Sequence, residues 1–407
     1  MNVLKNIILI CDCAHVLGGI ENVAFQSAIQ LKRMGYNVIV FASMGSIAKE
    51  LIDNKIKVVC LDQNDILSEP NRLKAILQGL CNVKAYNTLC NVLKTYNSND
   101  TIVHFHCWSK ALSPIVFKVT AKYKFKIAIT THDYFSICPN GGLYNYRQNH
   151  ICTLNPLGMK CLMSNCDSRN YFQKCYRFLR SIIQKYWLSC NKYIYLITIS
   201  NTTERHIYPY LKKYISKTFR LLNPVILDEG GMIKITSNNF YLFVARLSNE
   251  KGCELFCKAI TDLGLKGKVL GDGYLFKKLK NKYPDIVFEG WVSGEKKYQI
   301  LKTGKALIFP SLWYEGAPLT ILEMLSNGIP CIVPDNCAAS EFIKDGYNGL
   351  VFKTGNLDSL KDKICIYEHC DLNKMQRNIS DSFDREKFKP EIHAKNLVNI
   401  YKQILND

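Results

Sequence analysis

Two glutamates, Glu315 and Glu323, stand eight positions apart in the stretch Phe309-Pro310-Ser311-Leu312-Trp313-Tyr314-Glu315-Gly316-Ala317-Pro318-Leu319-Thr320-Ile321-Leu322-Glu323-Met324. The run Ala306 to Phe309 reads as a short buried strand and Ser311 to Gly316 as a loop. Pro318 stands where a helix takes its first-turn proline, and Leu319, Leu322, Met324 and Leu325 follow at helical spacing. Glu315 then lies just ahead of the helix and Glu323 about two turns inside it. The amides of Gly316, Ala317 and Leu319 point out of the helix N-terminus, where unsatisfied N–H groups attract a phosphate. A carboxylate beside an anion site fits a ligand that also presents hydroxyls, and a nucleotide sugar presents both. Taken alone, the pair also fits two solvated surface carboxylates.

Other residues of the same kind of chemistry follow strands. Arg246 and Lys251 flank a loop after an apolar run, with Gly252 behind them, and fixed cations there would stabilise a departing diphosphate. Gly271-Asp272-Gly273 follows Lys268–Leu270, a pattern that suits a tight turn as well as a ligand contact. Gly18-Gly19-Ile20-Glu21 follows the first strand and opens a helix, and glycines there let backbone approach a phosphate or sugar. Thr131-His132-Asp133-Tyr134 ends another strand, and its histidine has either a ligand or a backbone carbonyl as partner. His104 and His106 alternate along an apolar strand and read as structural. Glu341, after a later strand, has two uses open to it: a sugar contact, or the cap of its own helix.

The order of these motifs resembles that of the retaining glycosyltransferases of GT-B fold, the large group often called family 4. The likeness rests on the Glu-x7-Glu frame, on Arg-Leu…Lys-Gly at 246–252, and on Gly-x-Gly before Phe288-Glu289-Gly290-Trp291-Val292. Gly-Gly-x-Glu and His-Asp-Tyr in the first half add to it. The resemblance implies transfer of a sugar from a nucleotide-diphosphate sugar to a hydroxyl of a glycan or polyprenyl-linked acceptor, in surface polysaccharide assembly. Arg246 and Lys251 would hold the diphosphate, Glu315 would sit nearest the transferring sugar, and Glu323 would bond the ribose. Gly271, Gly273 and the backbone near Val292 would meet the rest of the donor. Gly18 and Gly19 would reach over donor phosphate and acceptor, and His132 would touch the sugar or the migrating proton. Retention would follow if the departing phosphate guides the acceptor hydroxyl on the same face, or through a covalent intermediate. No metal or other cofactor is required by that chemistry. A nucleotide-sugar epimerase on the same fold is an alternative. A basic nucleic-acid-binding protein is another, but it leaves Arg246, Lys251, Glu315 and Glu323 without a task.

A cysteine group, Cys138, Cys152, Cys161 and Cys166, falls in a Gly/Asn-rich segment just after His132. Four thiols in such a loop suit a structural zinc, with Cys175 able to replace one ligand; ordinary thiols fit the same positions. The remaining cysteines of the 18 are scattered singly as small apolar residues. Ile7-Ile8-Leu9-Ile10 is too short for a signal-peptide core and reads as the first strand of a cytoplasmic protein, in which thiols stay reduced.

The formal charge is +19 over 407 residues, and it is uneven: residues 101–220 carry 18 Lys and Arg against 3 Asp and Glu, whereas residues 221–407 carry 25 against 23. One part of one domain therefore faces something anionic, and an anionic membrane surface at the inner face of the cell membrane is the expected partner. Phe172, Tyr176, Leu179, Ile183, Tyr186 and Cys190 form an apolar helical stripe with Lys174, Arg177, Arg180 and Lys185 mainly off it. Such a stripe packs into a core or lies on lipid, the core being the commoner use.

Apolar strand candidates alternate with amphipathic stretches in both halves, which predicts two doubly wound parallel sheets, Rossmann-like, facing across a cleft. The first half offers Ile7–Cys11, Asn37–Phe41, Lys57–Leu61, Ile102–His106, Ala128–Thr131 and Tyr195–Ile199, with helical stretches at Ile20–Met34 and Arg72–Tyr96. The second offers Tyr241–Ala245, Lys268–Leu270, Ile286–Phe288, Ala306–Phe309, Cys331–Val333 and Leu350–Phe352. The expected domains are 1–225, holding the acceptor, and 226–389, holding the nucleotide sugar, joined near Asn223 to Asn238. The closing helix, 390–407, would pack back on the first.

Overall fold

The computed structural model describes residues 3–226 and 231–407, so part of the expected linker lies outside the described residues. In the first half the strands β1 (Asn6–Cys13), β2 (Asn37–Met44), β3 (Lys57–Cys60), β4 (Thr101–Phe105) and β5 (Lys126–Thr130) lead to a short hairpin, β6 (Tyr144–Asn145) and β7 (His150–Ile151). Then come β8 (Ile194–Thr198) and β9 (Lys217–Arg220). The hairpin apart, these strands form one parallel sheet in the order β3-β2-β1-β4-β5-β8-β9. In the second half β10 (Phe240–Val244), β11 (Lys266–Leu270), β12 (Val287–Gly290), β13 (Gly304–Ile308), β14 (Cys331–Pro334) and β15 (Gly349–Phe352) form a parallel sheet ordered β12-β11-β10-β13-β14-β15. Both are buried on two faces, which is why the central strands are largely apolar instead of alternating: all of β1 after Asn6 is buried, as is all of β4, with Asp12 and His104 among the buried polar residues that find partners. Each sheet reverses its winding once, between β1 and β4 and between β10 and β13, and loops leaving strands at such points make the ligand crevice of an open α/β sheet.

Three expectations change. The stretch 72–96 is two helices, Arg72–Leu80 and Val83–Leu93. Asn82 breaks it by capping the second, its Oδ1 accepting from the Ala85 amide at 3.0 Å while its Nδ2 donates to the Ala111 carbonyl at 2.8 Å. Strand β9 and the small hairpin were not among the expected strands; both are short and half polar. The third change concerns the Tyr171–Ser189 helix. It buries Lys174, Phe178, Arg180, Gln184 and Leu188, and turns Phe172, Leu179 and Tyr186 to solvent, Phe172 with 87% of its surface exposed. The core use of the apolar stripe is thus reversed. The buried polar heads bond groups of neighbouring elements: Arg180 donates from Nε to the Gly79 carbonyl of the Arg72–Leu80 helix and from Nη2 to that of Trp108, both at 2.9 Å. Gln184 accepts from Trp108 Nε1 at 2.7 Å and donates to the Phe135 carbonyl at 2.9 Å.

The Pro390–Asn406 helix lies on the first sheet's layer, with Ala394, Leu397, Tyr401 and Ile404 in one core with Ile7, Leu9 and Phe25. Lys126 donates to the last-turn carbonyls of Ile404 and Leu405, both at 3.0 Å, a cation where a helix C-terminus favours one. Tyr401 Oη lies 2.6 Å from His104 Nδ1, and His104 Nε2 lies 2.7 Å from Thr130 Oγ1. Tyr401→Phe leaves a buried imidazole nitrogen unpaired, and the expected loss is about 1–3 kcal/mol in a denaturant melt of the whole chain.

Candidate active site

The loop after β10 and the loop after β13 meet. Gly252, at φ +69°, ends the short turn Asn249–Lys251, and a Cβ there would stand 1.9 Å from the Pro310 carbonyl oxygen, so only glycine fits. The Leu312 amide donates to the Glu250 carbonyl at 2.8 Å and locks the two loops together. This contact brings Lys251 onto Glu315, Nζ against Oε1. The same oxygen accepts from Trp313 Nε1 at 2.6 Å and from Ser311 Oγ at 3.2 Å, while Oε2 makes no hydrogen bond among the described residues. Arg246 reaches out beside them, held by Glu250 at 2.8 Å, and Glu250 is itself fixed by Ser248 at 2.7 Å.

Gly271 and Gly273 take part indirectly. Gly271, at φ +142°, has the Ala245 carbonyl oxygen 2.0 Å from where a Cβ would be, and the Leu247 amide donates to the Asp272 carbonyl at 2.9 Å. The turn therefore braces the Arg246 loop, and it is Asp272 between the glycines that lines the cleft. Likewise Trp291, not Val292, lines it. The helix after Glu315 runs Leu319–Ser326 with Pro318 as its N-cap, so Glu323 is one turn inside instead of two. Glu323 Oε2 is 2.6 Å from Lys297 Nζ and outside the cleft lining, whereas Gly316, Ala317 and Leu319 are in it, their amides without partners among the described residues.

From the first domain the cleft takes the loops after β1, β4 and β5. Gly18 and Gly19 face the N-terminus of the Leu319–Ser326 helix: a Cβ on Gly19 would sit 3.5 Å from Leu319 Cδ1. Asp12, fully buried, accepts from the amides of Lys110, Ala111 and Leu112 at 2.8, 2.8 and 3.0 Å, which fixes the loop carrying Lys110. Lys110 Nζ is 3.9 Å from buried Glu21 Oε1. His132 Nε2 lies 2.9 Å from His106 Nδ1, leaving His132 Nδ1 for a ligand. Burial, helped by His393, pushes the His132 imidazole down to about 3, and burial holds His104 and His106 well below the usual range, so these rings are neutral at pH 7. Burial raises Asp133 to about 6 against the Phe135 amide that stabilises its charge.

The resulting cleft, about 690 Å³, lies between the domains at both points of winding reversal. A more open cavity of about 880 Å³ shares Tyr314 with the cleft and is lined by Glu341, but by none of Gly18, Gly19, His132, Arg246, Lys251 and Glu315. Glu341 separates the two roles expected of it from a third. Its carboxylate accepts from the amides of Asn201 and Thr202, at 2.9 and 2.8 Å, and from both their side chains, capping the Asn201–Leu211 helix of the first domain. It is neither a cleft residue nor a cap of its own helix. Asp133, Asp272 and Trp313 line the cleft although their motifs assigned them no role, and Lys110 lines it from outside every motif; its available signal was its place just after an apolar strand.

The cysteines do not form a zinc site. Among the described residues no group of three or more His, Cys, Asp and Glu is placed to hold a metal ion. Lys174 Nζ sits 3.2 Å from Cys161 Sγ, and this buried cation opposes a dication. Cys138 donates to Asn140 Oδ1 at 3.1 Å, and burial pushes its thiol up to about 11. Cys166 accepts from the same amide at 3.3 Å. Cys152 and Cys175 are half-buried thiols, and none of the cysteines is in a disulfide.

A histidine held below its ordinary value binds fewer protons folded than unfolded, so its contribution is complete above about pH 6.5 and is lost as the pH falls towards the folded value. With His132 at about 3 and His393 at about 4, thermal stability is expected to decline steadily from pH 6.5 to pH 4, as read by the melting midpoint. His132→Gln is expected to shift activity by the same factor at every pH from 5.5 to 8, because no imidazolium forms there.

Comparison with known proteins places this geometry. Residues 233–382 match the family model described as glycosyl transferases group 1. An uncharacterised glycosyltransferase of Methanocaldococcus jannaschii is 29% identical over 174 residues, 42% of this chain and 48% of that protein. The UDP-Gal:alpha-D-GlcNAc-diphosphoundecaprenol alpha-1,3-galactosyltransferase of Escherichia coli is 31% identical over 118 residues, 27% of this chain and 30% of that protein. The chain thus spans under half the length of these curated relatives. Among solved structures, sucrose-phosphate synthase of Thermosynechococcus elongatus superposes with a TM-score of 0.69 at 16% identity, covering 99% of both chains. The lipopolysaccharide outer core galactosyltransferase WaaB gives 0.65 at 17%, covering 98% of this chain and 100% of that one. At such identities the likeness concerns the fold: two Rossmann-like α/β domains in the GT-B arrangement.

Proposed function

We propose that this protein is a retaining glycosyltransferase that moves a sugar from a nucleotide-diphosphate sugar to a hydroxyl of a glycan or lipid-linked acceptor, in surface polysaccharide assembly. The observation that carries the reading is the Lys251–Glu315 pair, set beside Arg246 and three open amides and facing Gly18, Gly19 and His132 across one cleft. In this reading the diphosphate lies on Arg246, Lys251 and the amides of Gly316, Ala317 and Leu319, and Glu315 Oε2 accepts from a sugar hydroxyl. The bond from the anomeric carbon to the phosphate oxygen breaks as the acceptor oxygen bonds the same carbon. The acceptor's proton passes to the departing phosphate, whose growing charge the cations stabilise. His132, neutral, offers a hydrogen bond to the sugar. Glu323 would reach a ribose only after leaving Lys297. The match of residues 233–382 supports the donor half of this reading, and the relative acting on a diphosphoundecaprenol-linked sugar supports a lipid-linked acceptor.

Arg246→Ala or Lys251→Ala is expected to cut kcat/KM roughly 100-fold to 1000-fold with the fold intact by circular dichroism. Activity is expected to persist in EDTA, since fixed cations serve the leaving group; a requirement for restored Mg²⁺ or Mn²⁺ would overturn that mechanism. Product analysis with and without acceptor separates transfer from epimerisation.

The same reading places the first domain at an anionic membrane surface, as a peripheral protein. Among the described residues no helix is long and apolar enough to cross a membrane. The exposed Phe172, Leu179 and Tyr186 and the charge excess of residues 101–220 support attachment by one face. Co-sedimentation is expected with anionic vesicles and not neutral ones, and to weaken from low to high salt, because exposed charges are screened beyond about 8 Å at physiological ionic strength. Equal binding to both lipids, or to neither, would argue instead for a soluble anionic acceptor.

A further inference from the structure

Beside the cleft lies a second cavity, of about 230 Å³, which shares Leu17 and Lys110 with it. Its lining combines the charged Asp65, Lys110, Arg177 and Arg180 with the apolar Leu17, Ile66, Leu67 and Phe135. Arg180 is the unusual member. Only 6% of its surface is exposed, its Nε and Nη2 are spent on two backbone carbonyls, and its Nη1 has no partner among the described residues. No carboxylate among the described residues lies within ion-pair distance of it; Asp12 and Asp133 act on its charge from farther off, an incomplete compensation for a buried cation. The other charges at the cavity are paired or hydrogen-bonded, and Asp65 stays a carboxylate on its wall, held below the usual range against its burial by its hydrogen bonds and Lys110. Arg177 pairs with Asp167 at 3.0 Å, and Asp65 Oδ1 accepts from the amides of Leu67 and Ser68 and from the Ser68 hydroxyl. Lys110, 3.9 Å from Glu21, stands between this cavity and the donor cleft.

Exposed apolar residues adjoin the cavity. Leu67 and, on the Arg72–Leu80 helix, Leu73, Ile76 and Leu77 are exposed, as is Phe172 on the neighbouring helix. Tyr176, which lines the cavity, ties the two helices by donating to the Ile76 carbonyl at 3.2 Å. A guanidinium matches phosphate oxygens in charge and in the geometry of its donors. An anion on Arg180 with an apolar chain lying past Ile66 and Leu67 would leave its sugar end near Lys110, at the border of the donor cleft.

We propose that this cavity holds the phosphate group of an amphipathic acceptor, a phosphate or diphosphate ester of a lipid, with Arg180 and Lys110 on the phosphate and the chain leaving over the Arg72–Leu80 and Tyr171–Ser189 helices. The proposal rests on the glycosyl-transfer reading, and its test separates the two. Titration of the full chain with dodecyl phosphate, inorganic phosphate and octyl glucoside, followed by calorimetry, is expected to give binding of dodecyl phosphate at least tenfold tighter than of the other two. Arg180→Met is expected to weaken it at least tenfold without changing the affinity for UDP or GDP. Should that variant not fold, Lys110→Met carries the test, with an expected weakening of about threefold or more. Inorganic phosphate binding as tightly as dodecyl phosphate would assign the site to a soluble phosphate and overturn the lipid ester. Octyl glucoside binding as tightly, or dodecyl phosphate affinity unchanged in a folded variant, would overturn the anion site. Failure of the wild-type chain to bind UDP, GDP or any other nucleoside diphosphate would count against the glycosyl-transfer reading, and loss of dodecyl phosphate binding alone against this cavity.

Discussion

Lys251 and Glu315 come from loops after adjacent strands, and their ion pair depends on backbone contact between those loops. Gly252 touches the Pro310 carbonyl, and the Glu250 carbonyl holds Leu312 and Ser311. Little of either charged side chain is exposed, 18% of Lys251 and 11% of Glu315, so removing one partner would strand the other's charge in a partly dry site. The same arrangement leaves one carboxylate oxygen open and keeps the ammonium near the free amides of the following helix. A ligand with phosphates and hydroxyls meets groups already in place, which is what makes fixed dipoles effective in a closed site.

The cleft also needs the first domain held against the second. Glu341 does this by capping a helix of the other domain, placing a carboxylate where the helix N-terminus carries positive potential. Nearby, Tyr314 stacks on His206 with ring centroids 3.8 Å apart, and Gly316 lies so close to Thr203 that a Cβ would be 2.8 Å from its methyl group. Contacts one residue to either side of Glu315 thus join the domains, and the site's geometry follows from how they dock.

On the first domain the Tyr171–Ser189 helix inverts the usual rule. Its inward face carries Lys174, Arg180 and Gln184 beside Phe178 and Leu188, and its outward face includes the exposed Phe172, Leu179, Ile182 and Tyr186. Arg180 and Gln184 tie to the carbonyls of Gly79, Trp108 and Phe135, and the loops holding Trp108 and Phe135 also hold Lys110 and Asp133, which line the cleft. An apolar outer face is then the consequence, and it adjoins the Arg180 cavity.

Much of the fold was legible because parallel strands buried on both faces are continuous apolar runs, and the twelve runs from Ile7 to Phe352 all coincide with strands to within a few residues. The Arg246–Lys251 loop and the Glu315 junction were legible too, since each couples a strand end to a glycine, Gly252 in a left-handed backbone and Gly316 against Thr203 of the other domain. What the chain alone left open were the partners of long polar side chains. Glu341 caps a helix 140 residues away, Glu323 turns to Lys297, and Lys174 takes a place among thiols where four cysteines had suggested a metal. The stripe from Phe172 to Tyr186 has the same helical period whether it faces core or solvent. Period is a local property of the chain, whereas the side that is buried depends on which backbone and side-chain partners the tertiary structure brings to Arg180 and Gln184.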